Sequence, residues 1–332
     1  MEPTGLSMRL LGFLALMTMT VFANGAGEAT LELSATIAMP NVKGRIDHFG
    51  VDVKGHRLFV AALGNDTVEI IDIAANRHER SLSGFGEPQG LIYLPETQRL
   101  YVANGNRNRL DILDGRSFTP AKRVEALDDA DNVRYDAQAG AVIVGYGKGA
   151  LRLLDAGNGS SKGDIKLPGH PESFQLERAG ARIFVNVPTS RQIAVVDRSK
   201  GAVVATWPVS ARQNFPMALD EKGRRLFVGA RFPSVVLAYD IDSGKEIAKV
   251  EACGDTDDLF FDAEKKRIYV ICGEGQIDIL RQDGPKQYVL ESTVKTASRT
   301  RTGLFVPEER RLYVGAPAIN GTTARILVYA VR

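Results

Sequence analysis

Hydrophobic positions along this 332-residue chain return at a regular interval. A three-residue apolar segment, first present as Leu58-Phe59-Val60, occurs seven times, and successive copies start 42, 42, 41, 43, 42 and 44 residues apart. A repeat of roughly 40–45 residues is the length of one four-stranded propeller blade. The pattern therefore predicts a ring of seven blades whose second strands contain residues 58–60, 100–102, 142–144, 183–185, 226–228, 268–270 and 312–314.

The second repeat shows the pattern expected within one blade. Apolar runs at 90–94 and 99–103 are separated by a polar turn, and a turn signal rich in Asn and Gly follows. Residues 109–113 then alternate between apolar and polar, as in a half-buried strand. A more polar segment follows at 121–127. We therefore predict four antiparallel strands per blade, running from the channel axis outward.

The two ends of the chain complement each other. The last repeat stops after a third strand at 325–330, whereas residues 31–37 precede the first repeat and resemble outer strands such as 245–250. A ring of blades keeps an exposed edge unless its ends pair. We therefore expect an all-β, seven-bladed β-propeller of four-stranded antiparallel blades, closed by the N-terminal strand pairing with the last blade.

The N-terminus has the pattern of a secretory signal peptide. Arg9 precedes an apolar stretch at 10–22, and small residues follow up to Ala26. The stretch is shorter than the roughly 20 residues that a membrane span needs. A retained anchor is the alternative. We expect cleavage after residue 26, a single propeller domain at 27–332 without a membrane span, and a periplasmic or secreted location.

Composition and charge limit the classes of partner. Hydrophobic residues make up 44% of the chain and charged residues 25%, which is ordinary for a globular protein. The 42 basic and 40 acidic residues give a net charge of +2. A nucleic-acid partner requires a concentrated basic face. We therefore expect no nucleic-acid partner.

Some charged residues recur at the repeat period and are interpreted as scaffold. An aspartate that ends each of five third strands is expected to bond nearby backbone N–H groups, as in Asx turns. An arginine precedes six of the apolar segments and forms a basic rim, for which contact with an anionic surface is the weaker alternative. These residues are Asp72, Asp114, Asp155, Asp197 and Asp240, and Arg57, Arg99, Arg182, Arg225, Arg267 and Arg311.

The repeated phrase resembles that of the YVTN-type seven-bladed propellers of exported bacterial proteins. Its nearest copy is Leu100-Tyr101-Val102-Ala103-Asn104, and the resemblance covers roughly residues 31–332. It implies relatives that include sugar-lactone hydrolases, a lyase, quinoprotein-like subunits and binding modules. Trp207 is followed by Pro208, so the Trp-Asp pair of WD-repeat scaffolds is absent from the sequence.

The repeats differ from one another where the inner strands begin. Two alternating positions lie 13 and 11 residues before each apolar segment, and 13 of these 14 residues are polar or charged. Alternation places both on one face of the strand, at one mouth of the central channel. A ligand site requires different residues in each blade, whereas a merely hydrated channel mouth is the alternative. The pairs are Arg45/Asp47, Glu87/Gln89, Asp129/Asp131, His170/Glu172, Gln213/Phe215, Asp255/Asp257 and Arg299/Arg301.

Two of the four histidines fall at this mouth. His48 and His170, with Glu172 nearby, are the candidate catalytic residues, because a histidine beside carboxylates can act as a general base or bind a metal. His48 sits one position off the paired positions, so its direction is open. A hydrogen-bonded loop histidine is the alternative for each.

Other charged residues at the mouth are candidates for metal and ligand binding. Asp257 and Asp258, in the densest acidic run, are candidate ligands of a divalent cation such as Ca²⁺ or Mg²⁺. Neighbouring arginines can clamp an anion, or instead form salt bridges to Asp47 and Asp257. The predicted ligand-binding residues are Arg45, Asp47, Glu87, Asp131, Asn214, Arg299 and Arg301.

The two cysteines, Cys253 and Cys272, are predicted at the same mouth. A disulfide in an oxidising compartment, two buried thiols and a thiolate metal site are the three possibilities.

The sequence contains no strong catalytic motif. We therefore favour a binding protein that holds a polar or charged small molecule, or a protein partner, at the channel mouth. A metal-assisted hydrolase or lyase of lactone-like or ester substrates is the alternative. In that version His48 or His170 is the base, and Glu172 orients the base or binds a metal.

Overall fold

The structure is a computed structural model that describes Met1 and residues 30–332. Apart from Met1, the predicted signal peptide lies outside the described residues. Within residues 30–332, strand β1 (Leu31–Met39) comes first, and 27 further strands follow. Together they form seven four-stranded antiparallel sheets, so the predicted seven-bladed propeller is confirmed. The described part of the chain also contains three short 3-10 helices in connections, at Leu63–Asn65, Pro188–Ser190 and Pro307–Glu309.

The first three blades each use four consecutive strands. They contain β2 (Phe49–Asp52), β3 (Arg57–Ala62), β4 (Thr67–Asp72) and β5 (Arg77–Leu82); β6 (Pro88–Leu94), β7 (Arg99–Asn104), β8 (Arg109–Asp114) and β9 (Pro120–Val124); and β10 (Val133–Asp136), β11 (Ala141–Tyr146), β12 (Ala150–Asp155) and β13 (Ser161–Lys166).

The next three blades follow the same order. They contain β14 (Phe174–Leu176), β15 (Arg182–Val187), β16 (Gln192–Asp197) and β17 (Ala202–Pro208); β18 (Arg212–Asp220), β19 (Arg225–Phe232), β20 (Ser234–Asp240) and β21 (Glu246–Glu251); and β22 (Thr256–Asp262), β23 (Arg267–Cys272), β24 (Gln276–Gly284) and β25 (Gln287–Lys295).

The seventh blade joins the two ends of the chain. Strands β26 (Gly303–Val306), β27 (Arg311–Ala316) and β28 (Ala324–Val331) are completed by β1, which pairs antiparallel with β28. The register places Leu31 opposite Val331 and Ile37 opposite Ile326. This closure confirms the prediction from the chain ends, with β1 two residues longer than predicted.

The apolar core lies between neighbouring blades. Phe59 of the first blade packs in one cluster with Leu91 and Leu100 of the second. The three residues of each repeated segment are almost wholly buried, because the second strand has a neighbour on both sides within its blade and a blade on each face. Outer strands such as β5 are largely exposed. In residues 30–332 no helix is long and apolar enough to cross a membrane.

The recurrent aspartates have the structural role that the repeat predicts. Asp114 Oδ1 accepts hydrogen bonds from the backbone N–H groups of Arg116 and Ser117 at 3.0 and 2.8 Å. Similar turns surround Asp72, Asp155, Asp197 and Asp240. These carboxylates stabilise turns, which confirms their assignment to scaffold.

Candidate functional site

The first blade carries a β-bulge where its inner strand reaches the channel. The N–H of Asp47 donates to the carbonyl of Ala61 at 2.7 Å, and the N–H of Ala61 donates to the carbonyl of His48 at 3.0 Å. Two successive residues therefore oppose one residue of the neighbouring strand. The third and fourth blades show the same pattern, with Asp131 and Asn132 opposite Gly145, and Glu172 and Ser173 opposite Asn186.

This bulge explains how both His48 and Asp47 reach the channel. His48 Nδ1 lies 3.3 Å from Asp258 Oδ1 of the sixth blade, and its Nε2 lies 4.0 Å from both Asp47 Oδ1 and Asp131 Oδ1. Strict alternation left the direction of His48 open. The bulge turns it toward Asp258 of the sixth blade and Asp131 of the third, each two blades away around the ring.

The carboxylates around His48 decide its protonation state. Burial disfavours the imidazolium, but Asp258 and Asp47 outweigh burial and raise the pKa of His48 to about 10. At neutral pH the side chain is therefore a cation without a free lone pair. This state favours a charge-balancing role for His48 over the general-base role predicted for it.

The first, fifth, sixth and seventh blades supply a network of arginines and aspartates. Asp257 lies 2.8 Å from Arg231 Nη2, 3.2 Å from Arg301 Nε and 3.5 Å from Arg45 Nη2. Arg45 Nη2 also pairs with Asp47 Oδ1 at 3.1 Å. The salt bridges of Arg45 and Arg301 to Asp47 and Asp257 are the alternative to an anion clamp that the sequence leaves open.

The predicted metal ligands Asp257 and Asp258 are therefore already compensated by positive charge. Asp257 has three guanidinium neighbours, while Asp258 faces His48 and accepts a hydrogen bond from the N–H of Gly303 at 3.0 Å. Burial raises the pKa of Asp257, and Arg231 opposes that shift. The geometry lends no support to a metal at these two residues.

Arg231 belongs to this network and was missed by the sequence reasoning, which compared only inner-strand positions. It lies in β19, three residues after an apolar segment, and its Nη1 also approaches Asp255 Oδ1 at 3.3 Å. The corresponding residues in the other six repeats are Leu63, Gly105, Gly147, Pro188, Gly273 and Pro317. A charged residue at this position occurs only in the fifth repeat, so the same comparison, extended to this position, would have found it.

Asp131, His170 and Glu172 form a different cluster in the third and fourth blades. Each offers one ligand atom, and these atoms all lie within 4.8 Å of one another. His170 Nδ1 lies 2.6 Å from the carbonyl of Gly147, to which a protonated Nδ1 donates. The other ring nitrogen, Nε2, is then the one with a lone pair, as metal coordination requires.

The negative charge of the two carboxylates in this cluster is compensated only in part, by His48 Nε2 at 4.0 Å from Asp131 Oδ1. Burial and the charge of Glu172 raise the pKa of Asp131 to about 7. Burial and the charge of Asp257 raise the pKa of Glu172 to about 7. Within residues 30–332, neither carboxylate has an arginine or lysine within 4 Å. A cation bound here would relieve both the burial of charge and the repulsion.

Three other predicted ligand-binding residues lie outside this cluster. Glu87 is exposed, and its backbone N–H donates to Asp66 Oδ1. Arg299 is also exposed and lines a cavity of about 310 Å³ together with Arg45, Asp255 and Arg301. Asn214 is fully buried, and its amide donates to Asn186 Oδ1 of the fourth blade at 3.1 Å, so it links two blades.

Cys253 and Cys272 form a disulfide, which settles the three possibilities left by the sequence. Their Cα atoms are 5.8 Å apart. The bond ties the segment that precedes β22 to the end of β23. It therefore fixes the acidic segment at 255–258 from which Asp257 and Asp258 enter the channel.

Comparisons with known proteins show the fold alone. No family model matches the sequence, and no curated protein matches it. A chain in the crystal structure of the mitotic checkpoint complex superposes with a TM-score of 0.76 at 13% identity, covering 98% of this chain and 99% of that one. A chain of Kuenenia stuttgartiensis hydrazine synthase superposes with a TM-score of 0.74 at 15% identity, covering 88% and 97%. The resemblance to YVTN-type propellers stays a prediction.

Proposed function

We propose that this protein binds a divalent cation at Asp131, His170 and Glu172, and through the ion a polar small molecule at the channel mouth. The observation that carries the proposal is the convergence of three ligand atoms within 4.8 Å. A propeller fold suits a binding or scaffold role, and one fold hosts many functions. The class of ligand is therefore inferred from the residues of the site and not from the fold.

Charge balance supports a cation rather than an anion at this mouth. Six carboxylates that are at least half buried converge here, while four basic side chains pair with them. Asp258 also lacks an arginine but faces His48 at 3.3 Å, so Asp131 and Glu172 are the two least compensated of these carboxylates within residues 30–332. A divalent ion matches this charge. The carboxylates are Asp47, Asp131, Glu172, Asp255, Asp257 and Asp258, and the basic residues are Arg45, His48, Arg231 and Arg301.

The donor set narrows the choice of metal. Carboxylate oxygens suit Mg²⁺, Ca²⁺ and Mn²⁺, whereas an imidazole nitrogen suits transition metals. The imidazole of His170 therefore favours Mn²⁺ or Zn²⁺ over the Ca²⁺ or Mg²⁺ expected from the acidic run. Three protein ligands leave coordination positions open. An oxygen of a small molecule, or of a peptide on a protein partner, would occupy such a position.

A metal-assisted hydrolase or lyase is the second candidate function. The observation that favours it is the Glu172 carboxyl, whose pKa is raised to about 7, because an acid–base catalyst works best when its pKa lies near the working pH. Turnover of a lactone panel that is lost in Glu172→Gln and retained in His48→Gln would support it. No turnover with Mn²⁺ or Zn²⁺ present would leave binding as the function.

We also propose that the protein is exported. The charged, apolar and small-residue order of residues 1–26 supports export. The disulfide supports it as well, because such bonds persist in oxidising compartments. Detection of the full-length protein only in the cytoplasmic fraction would contradict export.

Metal analysis of the purified protein tests the cation site. After dialysis against Mn²⁺ and then against metal-free buffer, the wild type should retain about one ion per chain. The double variant Asp131→Asn/Glu172→Gln should retain none, because both carboxylates are replaced by amides of similar shape. Equal metal content in the two proteins, or none in the wild type, would overturn the proposal.

A further inference from the structure

The opposite half of the channel contains a second cavity, which the proposed cation site does not use. It has a volume of about 650 Å³ and is lined by the inner strands of six blades. It extends from His48 and Asp258, near the middle of the channel, to Glu96 and Glu308 at the far mouth. This volume lies within the range of small-molecule sites, roughly 300–1,000 Å³.

A ring of inner-strand residues, one from each blade, determines the polarity and charge of this cavity. Each inner strand places a residue opposite the middle residue of its repeated apolar segment, and six of these seven residues line the cavity. Arg134 is the one charged member of the ring. The ring consists of Gly50, Ile92, Arg134, Gln175, Ala218, Phe260 and Leu304.

Arg134 has no carboxylate partner in the described part of the chain. Its Nη1 donates to the carbonyl of Val133 at 2.9 Å, and its guanidinium carbon lies 5.6 Å from the centre of the Phe174 ring. Among residues 30–332, no carboxylate oxygen lies within 4 Å of the guanidinium. Burial lowers the pKa of Arg134, and the charges of Asp258 and Asp131 only partly oppose this shift.

The acidic groups around the cavity do not neutralise this guanidinium. Asp258, at the inner end, is engaged by His48 and by the N–H of Gly303. Glu96 and Glu308 lie exposed to water at the far mouth. The guanidinium of Arg134 therefore remains able to pair with a carboxylate supplied by a ligand.

We propose that this cavity binds an organic monocarboxylate with an apolar body. The carboxylate pairs with Arg134, because a guanidinium and a carboxylate form two parallel charge-assisted hydrogen bonds. The body packs against Ile92, Phe260 and Leu304, which are half-buried and face the cavity. This site is separate from the cation site, and its ligand requires no metal.

Two probes that differ only in charge test the proposal. Calorimetric titration in the presence of EDTA compares 4-phenylbutyrate with 4-phenylbutyramide. The wild type should bind the carboxylate at least about tenfold more tightly. Arg134→Met should remove this preference, whereas Arg134→Lys should keep part of it because the positive charge remains. Phe260→Ala should weaken both probes by the same factor.

Arg116→Met is the matched control, since Arg116 is exposed in a turn of the second blade. It should bind both probes like the wild type. Thermal unfolding of each variant establishes that it is folded. The proposal is overturned if the wild type binds acid and amide equally, if Arg134→Met keeps the preference, or if no saturable binding of the carboxylate occurs below about 10 mM.

Discussion

His48 Nδ1 lies 3.3 Å from Asp258 Oδ1, which joins the first blade to the sixth across the channel. The two blades are not neighbours in the ring, because the seventh blade separates them. The two side chains are only 18% and 15% exposed. This contact links two blades that are not adjacent and places opposite charges in contact within the channel.

Replacing His48 should destabilise the protein through the carboxylates that it faces. His48→Gln keeps a polar side chain but leaves Asp258 without its cation. Removing one partner of a buried pair costs about 3–5 kcal/mol, and partial exposure reduces this to about 2–3 kcal/mol. Urea unfolding should show the loss. His56→Gln, in an exposed turn, is the control, and equal stability of the two variants would contradict this role for His48.

Closure of the ring depends on the apolar face of β1. Ile37 is 2% exposed and packs with residues of the first and seventh blades, whereas Leu33 on the same strand is 53% exposed. Ile37→Ala should therefore lower the free energy of unfolding by about 2–4 kcal/mol. Leu33→Ala should change it by less than about 0.5 kcal/mol. A similar loss in both variants would indicate that β1 does not anchor the ring through this face.

Glu69 predicts a dependence of stability on pH. This fully buried carboxylate is held by His78 Nε2 at 2.7 Å and by the hydroxyls of Ser81 and Thr67 at 2.5 Å. Burial raises its pKa, but these hydrogen bonds outweigh burial and lower the pKa below its ordinary value. The resulting stability is present above the unfolded pKa of about 4.3 and is lost as the pH falls through the lower folded pKa.

Glu69→Gln should therefore cost about 2 kcal/mol at pH 7. The difference from the wild type should shrink as the pH falls below about 4. Denaturant unfolding at several pH values measures it. Glu79→Gln, on the exposed face of β5, should show no such dependence. If the difference in unfolding free energy between Glu69→Gln and the wild type widened in acid, it would contradict a lowered pKa for Glu69.

The disulfide should contribute to stability through the loop that it closes. Cys253 and Cys272 are 19 residues apart, and closing a loop of this length stabilises by about 3 kcal/mol in the chain-entropy description. The Cys253→Ala/Cys272→Ala variant should unfold at a correspondingly lower urea concentration. A reducing agent should lower the stability of the wild type but not that of the variant. An unchanged wild-type midpoint on reduction would contradict this contribution.

The fold could be predicted because its signals are local and repeated. Each apolar segment is buried for the same reason in every blade, and the unpaired ends of the chain identify the closing strand. The sequence left the disulfide as one of three possibilities, because spacing along the chain does not show that the Cα atoms of Cys253 and Cys272 lie 5.8 Å apart.

The site was harder to predict because it depends on bulges and on partners from distant repeats. Strict alternation skips the second residue of a bulge, so it left the direction of the His48 side chain undecided. The acidic run around Asp257 indicated a metal, but the sequence does not show that Arg231 and Arg301 meet this carboxylate. The cluster of Asp131, His170 and Glu172 combines residues of two adjacent blades. The repeat pattern does not show how closely side chains of adjacent blades approach each other.

Titration of metal-stripped protein with Mn²⁺ tests most directly whether Asp131, His170 and Glu172 form a cation site. Calorimetry should show one ion per chain for the wild type and for Glu125→Gln, a control in the exposed segment between β9 and β10. Glu172→Gln should bind at least about tenfold more weakly, because even residues that only support metal ligands cost 10–100-fold when changed. Equal binding by all three proteins, or no binding by the wild type, would contradict the claim.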